Sequence, residues 1–575
     1  MWFIFSFCIK FRQLYNANLR SAVVMLRSIW YILGVTCLFN FGEASDLYEE
    51  TLVLKPPNDD QLYVVFNFST VSEDLKSLKN HHYSLFPRVI GELVRKYGIA
   101  EFHLSMTQGL WRYERWGHPY YPAPPGAQLW VWFQPEIESV LFSVEASWKG
   151  FTNALSGLLC ASLNFIGKTE TVTPTLSFRP QGAIQDASSS LLRYAVLSRE
   201  TLCTENLTPW LKMLPCGSNS GISSLLNPAA LHHSQYLSLG LNYKQKCFEK
   251  NCDNPAIQLH QSVSTMFDLR KSTSEKPGFS VSTILNKKIK GPCPLAHRSD
   301  IRLSVPEHVS LHPRPSIKEN GFSVYNLFDL KALRDIQVQW NNNFDGDEKT
   351  TPILVVHCHL AGIGQQEGGV RCRLSNSAAR NISVLVMQTV PWFLQVYLHT
   401  LQITDQDGKI LLPKRVTFRP AKIRQSPHFL EYMLNISPSS TIKIALQFNR
   451  GFLTWTEHPP DANHGFYIGS TVVSVREKDI EIMGSDNVHH IYSEALQVFV
   501  PVPDFSMPYN VICLACTVLA IAFGSLHNLT TRRYQAFDSD EPKAESFVNK
   551  LMSFLKKLIG LVKRDKLIEP GNKDS

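Results

Sequence analysis

The sequence predicts a mainly β protein with some helices, built as a large β-sandwich-like region followed by one C-terminal transmembrane helix. Residues 441–448 alternate cleanly, with Ile442, Ile444 and Leu446 on one face of a strand and polar side chains on the other. Residues 505–531 contain no Asp, Glu, Lys or Arg. Hydrophobic residues make up 44% of the chain. Charged residues make up 18%, against about 25% in average domains, which excludes a disordered chain or a coiled coil.

The remaining strands and helices follow from the same kind of pattern. Runs of β-branched and aromatic residues predict strands at 62–68, 129–133, 171–178, 192–197, 393–403, 471–475 and 496–500. Apolar residues at helical spacing predict helices over 86–97 and 148–165. Four tryptophans are expected in the core or on a sheet face: Trp111, Trp116, Trp130 and Trp132. Sandwich-like β domains are the architecture that this pattern favours.

The first 44 residues have the features of a targeting segment. A 13-residue apolar run at 29–41 follows Arg27 and ends in small residues before Ala44. This arrangement predicts a secretory signal peptide over 1–44, cleaved after Ala44, with Met25 as a candidate working start and the preceding residues as an extension. The alternative is an uncleaved signal anchor, for which the run is short because a bilayer needs about 20 residues.

The uncharged stretch near the other end predicts a single spanning helix over 509–527. Asp504 precedes it, and Arg532 and Arg533 follow it, so the positive-inside rule places the C-terminus in the cytosol and the long N-terminal body in the lumen. A buried core helix is the alternative. Residues 501–508 are then a juxtamembrane stalk.

The expected cytosolic tail, 528–575, contains a basic amphipathic helix. Apolar residues recur at helical spacing over 545–566, with lysines and one arginine between them. Such a helix suits the anionic cytosolic leaflet, and packing on a partner subunit explains it equally well. The last residues carry no Lys-Asp-Glu-Leu type of signal, so retention in the endoplasmic reticulum has to come from another feature.

The lumenal body is predicted to contain two domains. Residues 45–305 form the first, residues 306–320 with three prolines form a linker, and residues 321–500 form a second β domain. Much of the formal net charge of +8 comes from the signal and tail segments, which leaves the body nearly neutral. Nucleic-acid binding therefore has little support.

Four Asn-x-Ser/Thr sequons in the body are candidate N-glycosylation sites. They are Asn67, Asn206, Asn381 and Asn435. A fifth, at Asn528, lies at the cytosolic edge and is expected to stay unmodified. Asn206 is three residues from Cys203, so a glycan there requires that its side of the loop stays clear of a partner.

The sequence contains no convincing catalytic constellation. Phosphate-binding loops, His-Glu-x-x-His and Gly-x-Ser-x-Gly are all missing from it. His357 and His359 would share one face of a strand with Cys358 on the other, and a third metal ligand is not identifiable. We therefore expect no metal and no cofactor. A hydrolase that uses its own Cys/His pair is not favoured by any specific pairing.

Eight cysteines lie between the two targeting segments. They are Cys160, Cys203, Cys216, Cys247, Cys252, Cys293, Cys358 and Cys372. Cys160 lies in an apolar helical run and is expected to be a buried free thiol. Seven then remain, an odd number, so that one could bond a partner chain. The count does not choose which one, and a pairing of Cys358 with Cys372 is a further expectation.

Several long and unusual sequence motifs occur along the chain. They are QGLWRYERWG (108–117), LWVWF (129–133), LSGLLCASLNF (155–165), LCTENLTPW (202–210), VPWFL (390–394), WTEH (455–458), NHGFY (463–467) and PDFSMPYN (503–510). Over roughly 46–530 the chain resembles the phosphatidylinositol glycan class T (PIG-T) subunits of GPI transamidase.

The resemblance implies a non-catalytic scaffold subunit in the endoplasmic reticulum membrane. Its complex attaches a GPI lipid to precursor proteins, and a separate caspase-like subunit performs the cleavage and transfer. The family's cysteine in the LCTENLTPW word, here Cys203, bonds covalently to that catalytic subunit. An internal bridge from Cys203 to Cys216 is the alternative for this residue. At the level of function, the alternatives are a lumenal Cys/His hydrolase and a type I adhesion or cargo receptor.

Overall fold

The structure is a computed structural model. It describes residues 46–58, 60–72, 83–135, 143–184, 188–247, 255–271, 278–305, 309–319, 321–329, 333–340, 352–362, 364–459, 461–476 and 488–532, with four positions between 549 and 556. The predicted signal peptide with Ala44, and nearly all of the predicted amphipathic tail helix, lie outside the described residues. The chain divides into two units, Met1–Val502 and Pro503–Ser575.

Fourteen of the described strands belong to the first part of the body. They are β1 (Leu47–Asn58), β2 (Gln61–Ser72), β3 (Ile99–Gln108), β4 (Gly126–Phe133), β5 (Thr171–Val172), β6 (Leu192–Leu197), β7 (Tyr236–Lys246), β8 (Ala256–Asp268), β9 (Gly278–Ser280), β10 (Arg298–Leu303), β11 (Ser310–His312), β12 (Ile317–Glu319), β13 (Phe322–Asn326) and β14 (Gln337–Gln339). Eleven of them form one sheet in the order β12-β13-β10-β1-β2-β8-β7-β3-β4-β6-β5. β11, β14 and β9 form a separate three-stranded sheet.

Five of the described helices cover one face of the large sheet: α1 (Arg88–Lys96), α3 (Val144–Leu159), α4 (Thr204–Lys212), α5 (Pro228–His232) and α6 (Val281–Leu285). The short helix α2 (Tyr113–Trp116) lies on the opposite face, where its buried residues join the core of the sandwich described below. Turns of 3-10 helix occur at Leu163–Phe165, Ser189–Leu191, Ile222–Leu225 and Leu269–Lys271. Phe151 of α3 packs edge-on against Phe102 of β3, with ring centroids 5.3 Å apart. Trp210 of α4 packs likewise against Phe68 of β2. The predicted helix over 86–97 is confirmed, and the one over 148–165 is shifted towards its N-terminus.

The second part of the body is a β-sandwich. Its strands are β15 (Leu354–Ala361), β16 (Glu367–Asn376), β17 (Ile382–Val390), β18 (Leu394–Thr404), β19 (Arg415–Arg419), β20 (His428–Ile436), β21 (Thr441–Arg450), β22 (Phe466–Ile468), β23 (Val472–Arg476), β24 (Val488–Tyr492) and β25 (Leu496–Val498). A four-stranded sheet, β15-β16-β21-β18, and a five-stranded sheet, β19-β20-β17-β23-β24, share one core, and β22 pairs with β25. The prediction of a mainly β, sandwich-containing fold is thus confirmed.

The large sheet is buried on both faces where it meets this sandwich. Val64 and Phe66 of β2 belong to the core under the helices, whereas Tyr63 and Val65 belong to the core that the sandwich shares. Alternate residues of a strand point to opposite faces, so one strand contributes to both cores. The four predicted core tryptophans are all buried: Trp111, Trp116, Trp130 and Trp132.

Two expectations from the sequence differ from the structure. Residues 306–320 do not separate two sheets, because β12 lies within this stretch and pairs with β13 in the eleven-stranded sheet. The change to the sandwich falls instead between β14 and β15. Of the strand predicted at 171–178, only Thr171–Val172 pairs with a neighbour, because the backbone N–H groups of Thr175, Leu176 and Ser177 donate to the Glu431 carboxylate.

The second unit contains α7 (Ser506–Thr531), which is long and apolar enough to cross a membrane. The spanning helix predicted at 509–527 is confirmed as a helix of 26 residues, about 39 Å at a rise of about 1.5 Å per residue. It begins at Ser506, so the last three residues of the predicted stalk, 501–508, are helical.

Candidate docking site at Cys203

Cys203 is the N-cap residue of α4, with an extended backbone and an exposed side chain. Its carbonyl accepts the first helical hydrogen bond, from Asn206 N–H at 3.2 Å. Thr201, Thr204 and Glu205 beside it are exposed as well, whereas Leu202 is buried. The thiol therefore lies in a solvent-exposed segment at the start of a helix.

The side chain of Asn206 holds this helix start in place. Its Oδ1 accepts from the Cys203 N–H at 2.7 Å, and its Nδ2 donates to the carbonyls of Leu159 and Cys160 at 2.9 and 3.0 Å. One buried amide thus satisfies three backbone groups, two of which belong to the C-terminal end of α3. The position of Cys203 is consequently fixed against the neighbouring helix.

The inward face of α4 is anchored in the core. Trp210 is fully buried and its Nε1 donates to the Gly240 carbonyl at 3.1 Å, while Leu207 is 5% exposed. Beside the thiol, Leu202, Leu207, Leu237, Leu239 and Val263 line a small, mainly apolar pit. A partner side chain next to a bonded cysteine would find a rigid apolar surface there.

The environment of the thiol disfavours its ionised form. Partial burial raises the pKa of Cys203, and the nearby carboxylates of Glu200 and Glu205 raise it further. A catalytic cysteine needs the reverse, a pKa lowered by a neighbouring cation or histidine, whereas the charges beside Cys203 are carboxylates that act against its position at a helix N-terminus. The site suits a stable disulfide better than a nucleophile, because a thiol of high pKa is a poor leaving group in exchange.

The other cysteines of the body are distributed as follows. Cys216 is bonded to Cys293 and Cys358 to Cys372, and Cys247 is also in a disulfide. The expected Cys358–Cys372 pair is confirmed: the two residues lie directly opposite each other on β15 and β16. The alternative bridge from Cys203 to Cys216 is wrong, since Cys216 has another partner.

Cys160 is free, as expected, but it is exposed rather than buried. The helix ends at Leu159, and Cys160 adopts the left-handed conformation of a C-cap with φ 52°. The apolar helical pattern around this residue did not reveal that the helix stops one residue earlier. Among the described body residues, Cys160 and Cys203 are the free thiols.

The four sequon asparagines differ in exposure. Asn381 and Asn435 are exposed, and Asn67 is half-buried, with its Oδ1 bonded to His260 Nε2. Asn206 is fully buried with its amide satisfied, so it lacks the surface position that a glycan needs. The structural role of Asn206 was missed, although an asparagine three residues after an N-cap position is a signal for it.

Three buried glutamates were also missed by the sequence reasoning. Glu50, Glu101 and Glu431 are each 0% exposed, and each accepts hydrogen bonds from backbone N–H groups of an irregular segment. The detectable signal is a single acidic residue at an inward position of an otherwise apolar strand. These carboxylates tie loops to sheets, which is a structural role.

His357 lies in an open cleft between helix α2 and the sandwich strands β15 and β24. Its Nδ1 is 2.7 Å from Glu494 Oε1 and its Nε2 is 3.3 Å from Glu114 Oε1. The two carboxylates bind opposite nitrogens, so they do not converge on one metal ion. Among the described residues, no group of three or more His, Cys, Asp and Glu side chains suits a metal.

This cluster predicts a pH-dependent contribution to stability. Partial burial lowers the pKa of His357, but its hydrogen bonds and charge interactions with Glu494 and Glu114 outweigh burial, so the net shift is upward. The contribution is then complete below the unfolded pKa, near 6.5, and is lost as pH rises through the higher folded pKa. Half of the ring is exposed, so screening keeps the effect small.

We expect His357→Gln to lower the melting temperature more at pH 6 than at pH 8. Thermal melts of the full-length protein in detergent at several pH values measure this difference. His359→Gln, at an exposed position on the same strand face, is the matched control. A difference between wild type and His357→Gln that grows with pH would contradict the sign.

The chain is thus a disulfide-containing β protein with one helix long and apolar enough to cross a membrane and, among the described body residues, two exposed free thiols, of which Cys203 is fixed at a helix start. A family model described as Gpi16 subunit, GPI transamidase component, matches residues 32–279 and 272–558. The chain belongs to this family.

Curated relatives match it over most of their length. The chain is 38% identical to the GPI-anchor transamidase component PIGT of Mus musculus over 556 residues, covering 90% of this chain and 94% of the relative. Identity to PIGT of Homo sapiens is 37%, covering 90% and 95%. Identity to the GPI transamidase component GPI16 of Saccharomyces cerevisiae is 30%, covering 89% and 93%.

Proposed function

We propose that this chain is a non-catalytic scaffold subunit of GPI transamidase in the endoplasmic reticulum membrane. It holds the caspase-like catalytic subunit through a disulfide at Cys203 and stabilises the complex that attaches GPI anchors to precursor proteins. The observation that carries the proposal is an exposed, unpaired thiol on a rigid helix start. The relatives, which are named as GPI transamidase components, indicate which complex the chain belongs to.

In the proposed membrane topology, the body lies in the lumen and the C-terminus lies in the cytosol. α7 is the candidate spanning helix, with Asp504 before it and Arg532 after it. An oxidising lumen is the compartment in which the body's disulfides persist. A covalent tether there raises the effective concentration of the non-covalent interfaces without adding contacts.

The properties of the thiol favour a scaffold over a hydrolase. Burial and two neighbouring carboxylates raise the pKa of Cys203, whereas a hydrolytic cysteine needs its thiolate. Cys358, which lies between two histidines in the sequence, is bonded to Cys372 and has no free thiol for catalysis. A type I adhesion or cargo receptor remains the alternative that surface labelling at the plasma membrane would support.

We expect Cys203→Ser to abolish a disulfide-linked species of higher mass on non-reducing gels. Purification in mild detergent followed by mass spectrometry should identify a caspase-like protein in that species and other transamidase subunits beside it. Cys160→Ser is the matched control, because Cys160 is also free and exposed. Loss of the species in the Cys160 variant, with retention in the Cys203 variant, would contradict the assignment.

We also propose that Asn381 and Asn435 carry N-linked glycans and that Asn206 does not. A glycan needs an exposed asparagine, and Asn206 is buried with three hydrogen bonds. Replacing Asn381 or Asn435 by glutamine should each remove one glycosidase-sensitive mobility step. Asn67 is half-buried, with its Oδ1 hydrogen-bonded to His260 Nε2, and is not part of this proposal. A glycopeptide containing modified Asn206 in the assembled complex would contradict this proposal.

A further inference from the structure

A group of exposed apolar side chains lies on loops at one end of the sandwich. We call it the apolar loop cluster: Ile423, Phe452, Trp455, Phe499 and Val502, exposed by 71, 80, 52, 53 and 47% respectively. Large apolar side chains that are exposed together mark binding to protein or membrane. Neither the proposed docking site at Cys203 nor the transamidase reaction gives these residues a role.

Contacts between neighbouring residues join the separate loops into one surface. Gly451 N–H, next to Phe452, donates to the Phe393 carbonyl at 2.8 Å. The ring of Phe393 packs against Phe466 with centroids 4.7 Å apart. Phe466 pairs with Val498, the neighbour of Phe499, across β22 and β25. The loops that bear Phe452 and Phe499 are therefore neighbours in space.

The loop that bears Ile423 joins the same surface through Arg424. Its guanidinium lies 5.4 Å from the ring centroid of Trp392 and forms an ion pair with Glu457, in the same 3-10 turn as Trp455. The Arg424 side chain lowers the pKa of Glu457 to about 2, so the pair stays charged and mutually neutralised. The cluster thus presents apolar side chains beside a charge that is already paired.

The occupant of this surface follows from chain connectivity. Val502 precedes the first residue of α7, Ser506, by four residues, so at most about 14 Å of extended chain separates the two in any arrangement. α7 is the candidate spanning helix. The end of the body that bears Val502 is therefore tethered within reach of the headgroup region. Tryptophan is enriched at that interface, and phenylalanine and aliphatic side chains bury their apolar surface there beside it.

We propose that the apolar loop cluster inserts into the interfacial region of the phospholipid leaflet that α7 enters. Phe452 and Trp455 bury apolar surface there, and the Arg424–Glu457 pair lies at the headgroups. The insertion gives the body a second attachment to the membrane besides the helix. This inference rests on α7 spanning the membrane and does not depend on the transamidase assignment.

The test uses the full-length chain reconstituted in phosphatidylcholine nanodiscs that contain a diazirine-bearing phosphatidylcholine. After illumination, mass spectrometry maps lipid adducts along the chain. We expect adducts on peptides covering 452–455 and 499–502. The matched control is the peptide with Ile410 and Leu412, which are 66 and 88% exposed. Ile410 bridges Thr404 at the end of β18 away from the cluster; along the partner strand β21, from Lys443 to Arg450, that end is roughly 23 Å away at about 3.3 Å per residue.

A second arm replaces Phe452 and Trp455 together by serine. Both side chains are mostly exposed, so the body should still fold, and its adducts at 499–502 should fall severalfold. The wild-type map decides the question even if this variant misfolds. Adducts confined to α7, or no more frequent in the cluster than at 410–412, would overturn the proposal and leave another polypeptide as the occupant.

Discussion

Glu431→Ala is expected to lower the free energy of unfolding of the body by about 3–5 kcal/mol. Glu431, on β20, is 0% exposed and accepts from the N–H groups of Thr175, Leu176 and Ser177 at 3.1, 3.1 and 2.9 Å, and from the Thr175 hydroxyl. Removing the carboxylate leaves the buried Ser177 N–H and the part-buried donors of Thr175 and Leu176 without their acceptor, which costs about 1–3 kcal/mol for each one that water cannot reach.

The consequence is local separation of the segment after β5 from the sandwich. Thermal melts and limited proteolysis of the full-length protein in detergent measure it, with new cleavage expected between 173 and 184. Glu367→Ala is the matched control, since Glu367 lies on β16 of the same sandwich but is exposed. Equal stability losses in the two variants would show that the hydrogen bonds to Glu431 do not hold this segment.

Asn206→Asp is expected to destabilise the protein by about 2–4 kcal/mol although the side chain keeps its size. An aspartate retains the acceptor for the Cys203 N–H but replaces the donor that serves the Leu159 and Cys160 carbonyls with a second oxygen. Three oxygens would then face one another in a buried site. Asn206→Ala should also destabilise, because it removes all three hydrogen bonds.

Loss of the Asn206 amide should also weaken the proposed disulfide linkage at Cys203. The Asn206 side chain fixes the helix start that carries Cys203. A less rigidly held Cys203 should form the intermolecular disulfide less efficiently, so the yield of the disulfide-linked species should fall. Asn153→Asp makes the same chemical change at an exposed position outside the sequons and should shift stability by less than about 0.5 kcal/mol. A stable Asn206→Asp protein with normal cross-linking would contradict the structural account of the site.

The sequence predicted what depends on local pattern. Alternation at β21 and the apolar segment of α7 both follow from periodicity. The Cys358–Cys372 pair was expected without a pattern that selects it, and its basis, the pairing of β15 with β16, appears only in the structure. What it did not predict depends on contacts between distant residues. The 171–178 segment is mostly not a strand because a glutamate more than 250 positions away takes its N–H groups.

The site shows the same division. The motif LCTENLTPW identified Cys203 through its resemblance to the family. The odd number of cysteines was compatible with an intermolecular bond but did not select this residue. The burial of Asn206 and the exposure of Cys160 depend on where α3 ends against α4, which no local pattern encodes. Likewise the proline-rich 306–320 stretch is predicted to be a linker, whereas β12 within it pairs with β13 in the large sheet and β11 pairs with β14 in the three-stranded sheet.

The central claim is that Cys203 joins this chain covalently to a caspase-like subunit. The most direct measurement alkylates free thiols during purification in mild detergent, digests the complex without reduction and identifies each cysteine peptide by mass spectrometry. The account predicts the Cys203 peptide linked to a cysteine peptide of a caspase-like protein, with Cys160 alkylated. Finding Cys203 alkylated throughout, or linked to another cysteine of this chain, would contradict it.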